Sequence, residues 1–125
     1  MHTRLIDVPS FGHQNYSMAA EVTGLGRLLF VSGQIPESAD GTLPAEFADQ
    51  AMIAWHNLEQ VLAEGGMTLQ NLVKVTIFLS DREYRDENTR VREKVLGDHR
   101  PAITVIVTGI YDSRWLLEIE AVAAA

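Results

Sequence analysis

From Ala45 to Glu64 the apolar positions Phe47, Ala51, Ala54, Trp55, Leu58, Val61 and Leu62 recur at steps of three and four. That spacing lines one face of a helix turning every ~3.6 residues. Pro44 suits a first helical turn, where its missing N–H costs nothing, and Gly65-Gly66 ends the run. The period then changes. Between Leu72 and Leu79, Val73, Val75, Ile77 and Leu79 alternate with Lys74, Thr76 and Phe78, which predicts a strand. Asp81 is placed to cap a second helix. There Tyr84, Asn88, Val91 and Val95 fall at i, i+4, i+7 and i+11 and face inward, while Arg85, Asp86, Arg90, Arg92 and Glu93 are left largely to water. Asn88 is a polar amide in an apolar row, and a structural hydrogen bond to a loop is its expected use. Gly97 closes this helix.

The flanks read as β structure. Met18–Val22 is small and apolar, Thr23-Gly24-Leu25-Gly26 punctuates, and Arg27–Gly33 follows, a hairpin feeding a buried strand. Two β-rich runs, Ile103–Thr108 and Trp115–Ala123, close the chain. Asp7–Tyr16, with Pro9 and Gly12, has no period and reads as an arm whose His13 and Tyr16 need a partner to be placed. The order β-β-α-β-α-β-β predicts an α+β domain, one mixed sheet with both helices on one face. Several strands are apolar on both sides: Phe78 opposite Ile77, Ile106 opposite Val105, Leu116 opposite Leu117. At ~25 cal/mol per Å² of apolar area, a few such side chains amount to several kcal/mol, so the second face is expected to be covered by another copy in a closed homo-oligomer.

Length and composition narrow the function. The 125 residues, 46% of them hydrophobic, suit a single domain spanning 1–125. The net charge of −7 argues against nucleic acid or anionic lipid as partner. No apolar run approaches the ~18 residues of a membrane span, and no signal segment is evident, so a soluble, cytoplasmic protein is expected. Without cysteine there is no thiolate nucleophile or thiolate metal site. The four histidines, at 2, 13, 56 and 99, lack metal-ligand spacing. Neither a metal nor a cofactor is expected.

The last run holds the candidate chemistry. Alternation through Trp115–Val122 puts Glu118 and Glu120 on one face with Leu116 and Val122, about 6 to 7 Å apart. Such carboxylates must face water, pair with a cation such as Lys74, or sit at the mouth of a cleft, where partial burial raises the pKa toward general-base use.

Taken together, Phe30-Val31-Ser32-Gly33-Gln34-Ile35-Pro36, Leu62-Ala63-Glu64-Gly65-Gly66, Val73–Leu79, Pro101-Ala102 before a β run, and Glu118-Ile119-Glu120-Ala121-Val122-Ala123 resemble the Rid/YjgF family of reactive-intermediate deaminases. The resemblance runs in order through nearly the whole chain. It implies a chorismate-mutase-like (YjgF-like) fold, a homotrimer with ligand clefts between subunits, and cofactor-free hydrolysis of an amino-acid-derived imine or enamine to a keto acid and ammonia. Carried over by position, Glu118 orients the attacking water, Tyr16 is the aromatic near the cleft, and Ser32 with Gly33 lines it. One departure matters most. Deaminating members have an arginine directly after the Pro-Ala pair, gripping the substrate carboxylate; here that position is Ile103. A charged hydrogen bond contributes ~1.5–3 kcal/mol, so its loss predicts at least about tenfold weaker binding of such an imine. Arg100 is a candidate replacement, although on a regular strand it would emerge opposite Ile103 unless Pro101 redirects the chain. The alternative is a non-catalytic protein that binds a small, less acidic metabolite against Ile103.

Overall fold

The computed structural model describes residues 1–11 and 15–125. Its elements are β1 (His2–Ile6), β2 (Ala19–Thr23), β3 (Leu28–Gln34), α1 (Phe47–Glu64), β4 (Leu72–Leu79), α2 (Arg85–Leu96), β5 (Ala102–Val107) and β6 (Leu117–Ala124). The main sheet runs β3-β6-β4-β5, with β4 and β5 parallel and the other neighbours antiparallel. A parallel pair needs a long crossover, and α2 supplies it. The expected α+β fold, a mixed sheet with two helices, is the fold observed.

The periodicities place the core. Phe47, Ala51, Ala54, Trp55, Leu58 and Leu62 are buried along α1, against Val31, Val75, Ile77, Leu117 and Ile119 of the sheet. Helix α1 begins at Phe47, slightly later than Pro44 suggested. Asp81 does cap, but it caps a 3-10 turn (Arg82–Tyr84), its carboxylate accepting from Glu83 N at 2.8 Å, and this turn leads into α2. The Tyr84 ring stacks on Phe47 with centroids 4.8 Å apart, tying the two helix starts together.

Two expectations need correction. The Met18–Gly33 hairpin does not form: β2 pairs with β1 in a separate ribbon, and β3 joins the main sheet as an edge strand beside β6. Residues Leu29 and Val31 of β3 pack toward α1, whereas β2 has no buried residue to bring to that core; an Arg4–Glu21 ion pair at 3.4 Å supports the β1–β2 ribbon instead. Arg92, assigned to water, is only 5% exposed. Its Nη2 donates to Asn15 Oδ1 at 2.7 Å, a partner supplied by the segment preceding β2 and invisible to helix periodicity.

Candidate functional site

The sheet's uncovered face carries the acidic pair. Glu118 stands opposite Phe78 and Glu120 opposite Thr76 in the β4–β6 register, with Phe30 opposite Val122 on the other side of β6. Between Val31 and Gln34 the β3–β6 register slips, so Ser32 and Gly33 together face Glu120 alone. Such a bulge re-aims the residues around it. Gly33 thereby comes directly beneath Glu118. A Cβ on Gly33 would overlap Glu118 Oε2 and lie 2.8 Å from its Cδ. Gly33 does not adopt a positive φ, so glycine is needed here for space and not for backbone conformation.

Both strands of this site are held from outside it. Buried Gln50 on α1 donates through Nε2 to Pro44 O (2.8 Å) and Arg114 O (3.1 Å) and accepts from Leu116 N at 2.8 Å, fixing the entry to β6. Asn57 Nδ2 donates to Ile35 O and Glu37 O, each at 2.9 Å, fixing the exit from β3. Trp115 Nε1 donates to Glu37 Oε1 at 3.0 Å and joins the two segments. The Lys74 amine donates to Thr104 Oγ1 at 2.6 Å, and among the described residues it makes no ion pair with either glutamate. Partial burial lowers the Lys74 pKa, with the negative charge of Glu120 opposing.

Tyr16 lies elsewhere. It lines a cleft of about 900 Å³ between α2 and the edge strand β5, on the helix side, with Asn88, Arg92, Val105 and Val107. Asn88 is 2% exposed, and its Oδ1 has no hydrogen-bond partner among the described residues, so the expected loop hydrogen bond does not satisfy that oxygen. Arg92 Nε is likewise buried and unpartnered among them. Burial lowers the Arg92 pKa, while Glu93 and Tyr16 oppose the shift.

Ile103 pairs with Val75 and packs its side chain against the core, away from Glu118. Arg100 lines a second hollow of about 770 Å³ near the end of α2, with Asn15, Arg92 and His99, and its carbonyl accepts from Ser17 Oγ at 2.5 Å. The bridge from Ser17 to Ala102 carries the chain from there into β5. His13 lies outside the described residues. Within one chain, then, Glu118 and Gly33 lie together on the open sheet face, with Ser32 in the adjoining bulge, and Tyr16 lies on the opposite side of the sheet. Sequence reading missed Asn15 and the inward turn of Arg92. The available signal was Arg92 lying four residues after Asn88, hence on the same stripe of α2.

The Endoribonuclease L-PSP family model matches residues 11–125. HMF1 of Saccharomyces cerevisiae is 34% identical over 111 residues, covering 88% of this chain and 84% of that protein. TdcF of Escherichia coli K12, named as a reactive intermediate deaminase, is 28% identical over 103 residues, covering 79% and 80%. The crystal structure of Escherichia coli TdcF with bound serine aligns with a TM-score of 0.75 at 25% identity, over 88% of this chain and 87% of that one. YyfB of Yersinia pestis, of the Rid family, aligns over the whole of both chains with a TM-score of 0.87 at 23% identity, a likeness of fold. Because the family model runs through β2 to β6, the bulge and the Glu118 and Tyr16 positions included, the chain belongs to the Endoribonuclease L-PSP family, the Rid/YjgF group of proteins.

Proposed function

We propose that the protein is a homotrimer with ligand clefts between subunits, and that it hydrolyses an imine, an enamine or a related C=N metabolite without a cofactor. The supporting observation is the Glu118 carboxylate seated on the open sheet face above Gly33, where any side chain at position 33 would displace it. That face also carries Phe30, 74% exposed, and Ile106, 41% exposed. Covering them with a second copy recovers ~25 cal/mol per Å² of apolar area and turns the Glu118 surface into the wall of a crevice. A ligand cannot reach Glu118 and Tyr16 through the sheet of one chain. The edge of β5, with Val105 and Val107 each 41% exposed, offers the complementary wall from a neighbouring subunit.

In this reading Glu118 orients a water and takes its proton as the oxygen bonds to the imine carbon. Glu118 returns that proton to the nitrogen, giving a carbinolamine. As the carbinolamine hydroxyl then passes its own proton to the nitrogen by way of the same carboxylate, the C–N bond breaks and a carbonyl compound and ammonia leave, with Glu118 regenerated. TdcF, a relative with that activity in its name and serine in its crystal structure, supports an amino-acid-derived substrate. The test is keto-acid release from freshly generated amino-acid imines. Glu118→Gln is expected to lower turnover by about 10²-fold or more while the fold is kept, and unchanged turnover would remove Glu118 from the mechanism.

A second reading, a non-catalytic binder of a small metabolite, is favoured by Ile103, which stands inward at the position where deaminating relatives carry their carboxylate anchor. Absence of turnover by the natural protein, with turnover gained in Ile103→Arg, would support this reading and show the rest of the site competent.

A further inference from the structure

The cleft beside α2 is strongly basic in a chain that is not. Four of its lining residues are arginines, Arg82, Arg85, Arg90 and Arg92, against one carboxylate, Asp86, while the chain as a whole carries −7. Among the described residues, none of the three exposed arginines, 82, 85 and 90, makes an ion pair or a hydrogen bond through its side chain. Glu83 and Glu87 do not line the cleft, and Glu93 accepts from Asn15 at 2.6 Å in the neighbouring hollow.

A second observation is independent of charge. Arg92, 5% exposed, stands in the cleft wall with its Nε donor unpartnered among the described residues. A buried guanidinium N–H is rarely left so and asks for an acceptor, such as an anion; Asn88 Oδ1, also unpartnered among the described residues, is itself an acceptor and does not count toward an anion site. The floor, Leu79 with Val105 and Val107, is apolar, which strengthens any charge interaction made above it.

We propose that this cleft is an anion site taking a dianionic group, the phosphate monoester or the paired carboxylates of a small metabolite. Four guanidiniums less one carboxylate leave an excess of three positive charges, enough for an ordinary α-carboxylate and a further charge besides. The inference rests on the proposed function for its location, since Tyr16 lies in the same cleft. It adds a substrate class: the anchor missing at Ile103 is replaced by arginines on and just before α2, set for a ligand with more negative charge.

The experiment titrates the full-length protein with inorganic phosphate and, separately, malonate, following melting temperature and calorimetric heat, with acetate and chloride at matched ionic strength as controls. Phosphate or malonate is expected to bind and the controls not; which of the two binds more tightly separates a monoester from a dicarboxylate source. Arg85→Ser combined with Arg90→Ser, both exposed positions, is expected to weaken binding at least about tenfold without changing the oligomeric mass. Binding no stronger than the controls, or unaltered affinity in the double variant, overturns the proposal. So does loss of assembly in that variant, which would assign the arginines to acidic groups of a neighbouring copy. Glu118→Gln separates the two proposals, since it is expected to bind the anion normally while losing turnover. Turnover without anion binding sinks the anion site alone, and anion binding without turnover sinks the hydrolase reading alone.

Discussion

Replacing Gly33 by alanine tests the geometry of the proposed site more sharply than removing Glu118 itself, because it leaves every functional group in place. The new Cβ would lie 2.8 Å from Glu118 Cδ and 3.1 Å from Cγ, overlapping Oε2. Carbon atoms settle at ~3.5–4.0 Å, so Cδ has to retreat by about 0.7–1.2 Å, and Oε2 by more. The obstacle is the far end of a flexible side chain, so the fold has an inexpensive escape: an off-rotamer Glu118 costs about 0.5–1.5 kcal/mol. Removing a glycine that does not use positive φ returns about 0.4–1 kcal/mol through the unfolded chain. The net stability change is then within about 1 kcal/mol, or about 4 °C in melting temperature for a domain of this size. Catalysis has no such escape. A displacement of ~1 Å in a positioned group costs about 10²-fold, equivalent to ~2.7 kcal/mol of barrier. Calorimetry and imine-hydrolysis kinetics on the same preparation should therefore show kcat down about 10²-fold with the melting temperature nearly unchanged. Full activity in a folded Gly33→Ala protein would refute the claim that this carboxylate position matters.

Phe30→Lys places a charge on the open face where a lone chain tolerates it, since Phe30 is 74% exposed, but where a neighbouring subunit would bury it. Light scattering should report a smaller species than for the natural protein, and an unchanged mass would place any subunit contact elsewhere. Gln50→Ala removes the acceptor for Leu116 N and the donor shared by Pro44 O and Arg114 O. At ~1–3 kcal/mol per buried group left unsatisfied, a loss of about 3 kcal/mol and about 10 °C in melting temperature is expected; a drop below a few degrees would mean water replaces the amide. Asp112 is held at about 2 by hydrogen bonds from Arg114, so its contribution to the loop before β6 is present above the ordinary carboxylate range and lost as pH falls through about 2. In Arg114→Ala the side-chain hydrogen bonds are lost while the backbone N–H of residue 114 still donates to Asp112 Oδ1, so the carboxyl midpoint should rise from about 2 yet stay below 3.8, and an unmoved midpoint would discharge the Arg114 side chain as the cause.

Which parts of this molecule were legible in its sequence follows from the range of the interactions that set them. Helix α1 and strand β4 were read from their own residues, because a 3.6-residue or two-residue apolar period is a local property that the core only has to accept. The pairing of β2 was not, since a strand of Ala19–Thr23 fits a turn to β3 as well as a register with β1, and it is β1 that takes β2. The same division runs through the site. Alternation alone put Glu118 and Glu120 on one face, and the register agrees. That Gly33 lies beneath Glu118 depends on a bulge between two strands far apart in the chain, and sequence did not reach it: the family resemblance placed Ser32 and Gly33 only in the lining of a cleft.

Arg92 shows how this matters for function. Helical period assigned it to water, and a partner 77 positions away, Asn15, holds it in a buried wall instead. An absence at Ile103, conspicuous in sequence, therefore describes only one strand. Guanidiniums from the neighbouring helix line a cleft beside that same strand, and a local motif comparison has no means of finding them. A deaminating relative's motif is incomplete here. The loss of one arginine on β5 is thus weak evidence against anion recognition and strong evidence only against recognition from that position. The dianion titration and the Ile103→Arg variant separate these two conclusions. Arginine at 103 should help a singly charged imine more than a dianionic one if the cleft beside α2 already serves as the anchor, and equal gains for both would mean that the α2 arginines take no part.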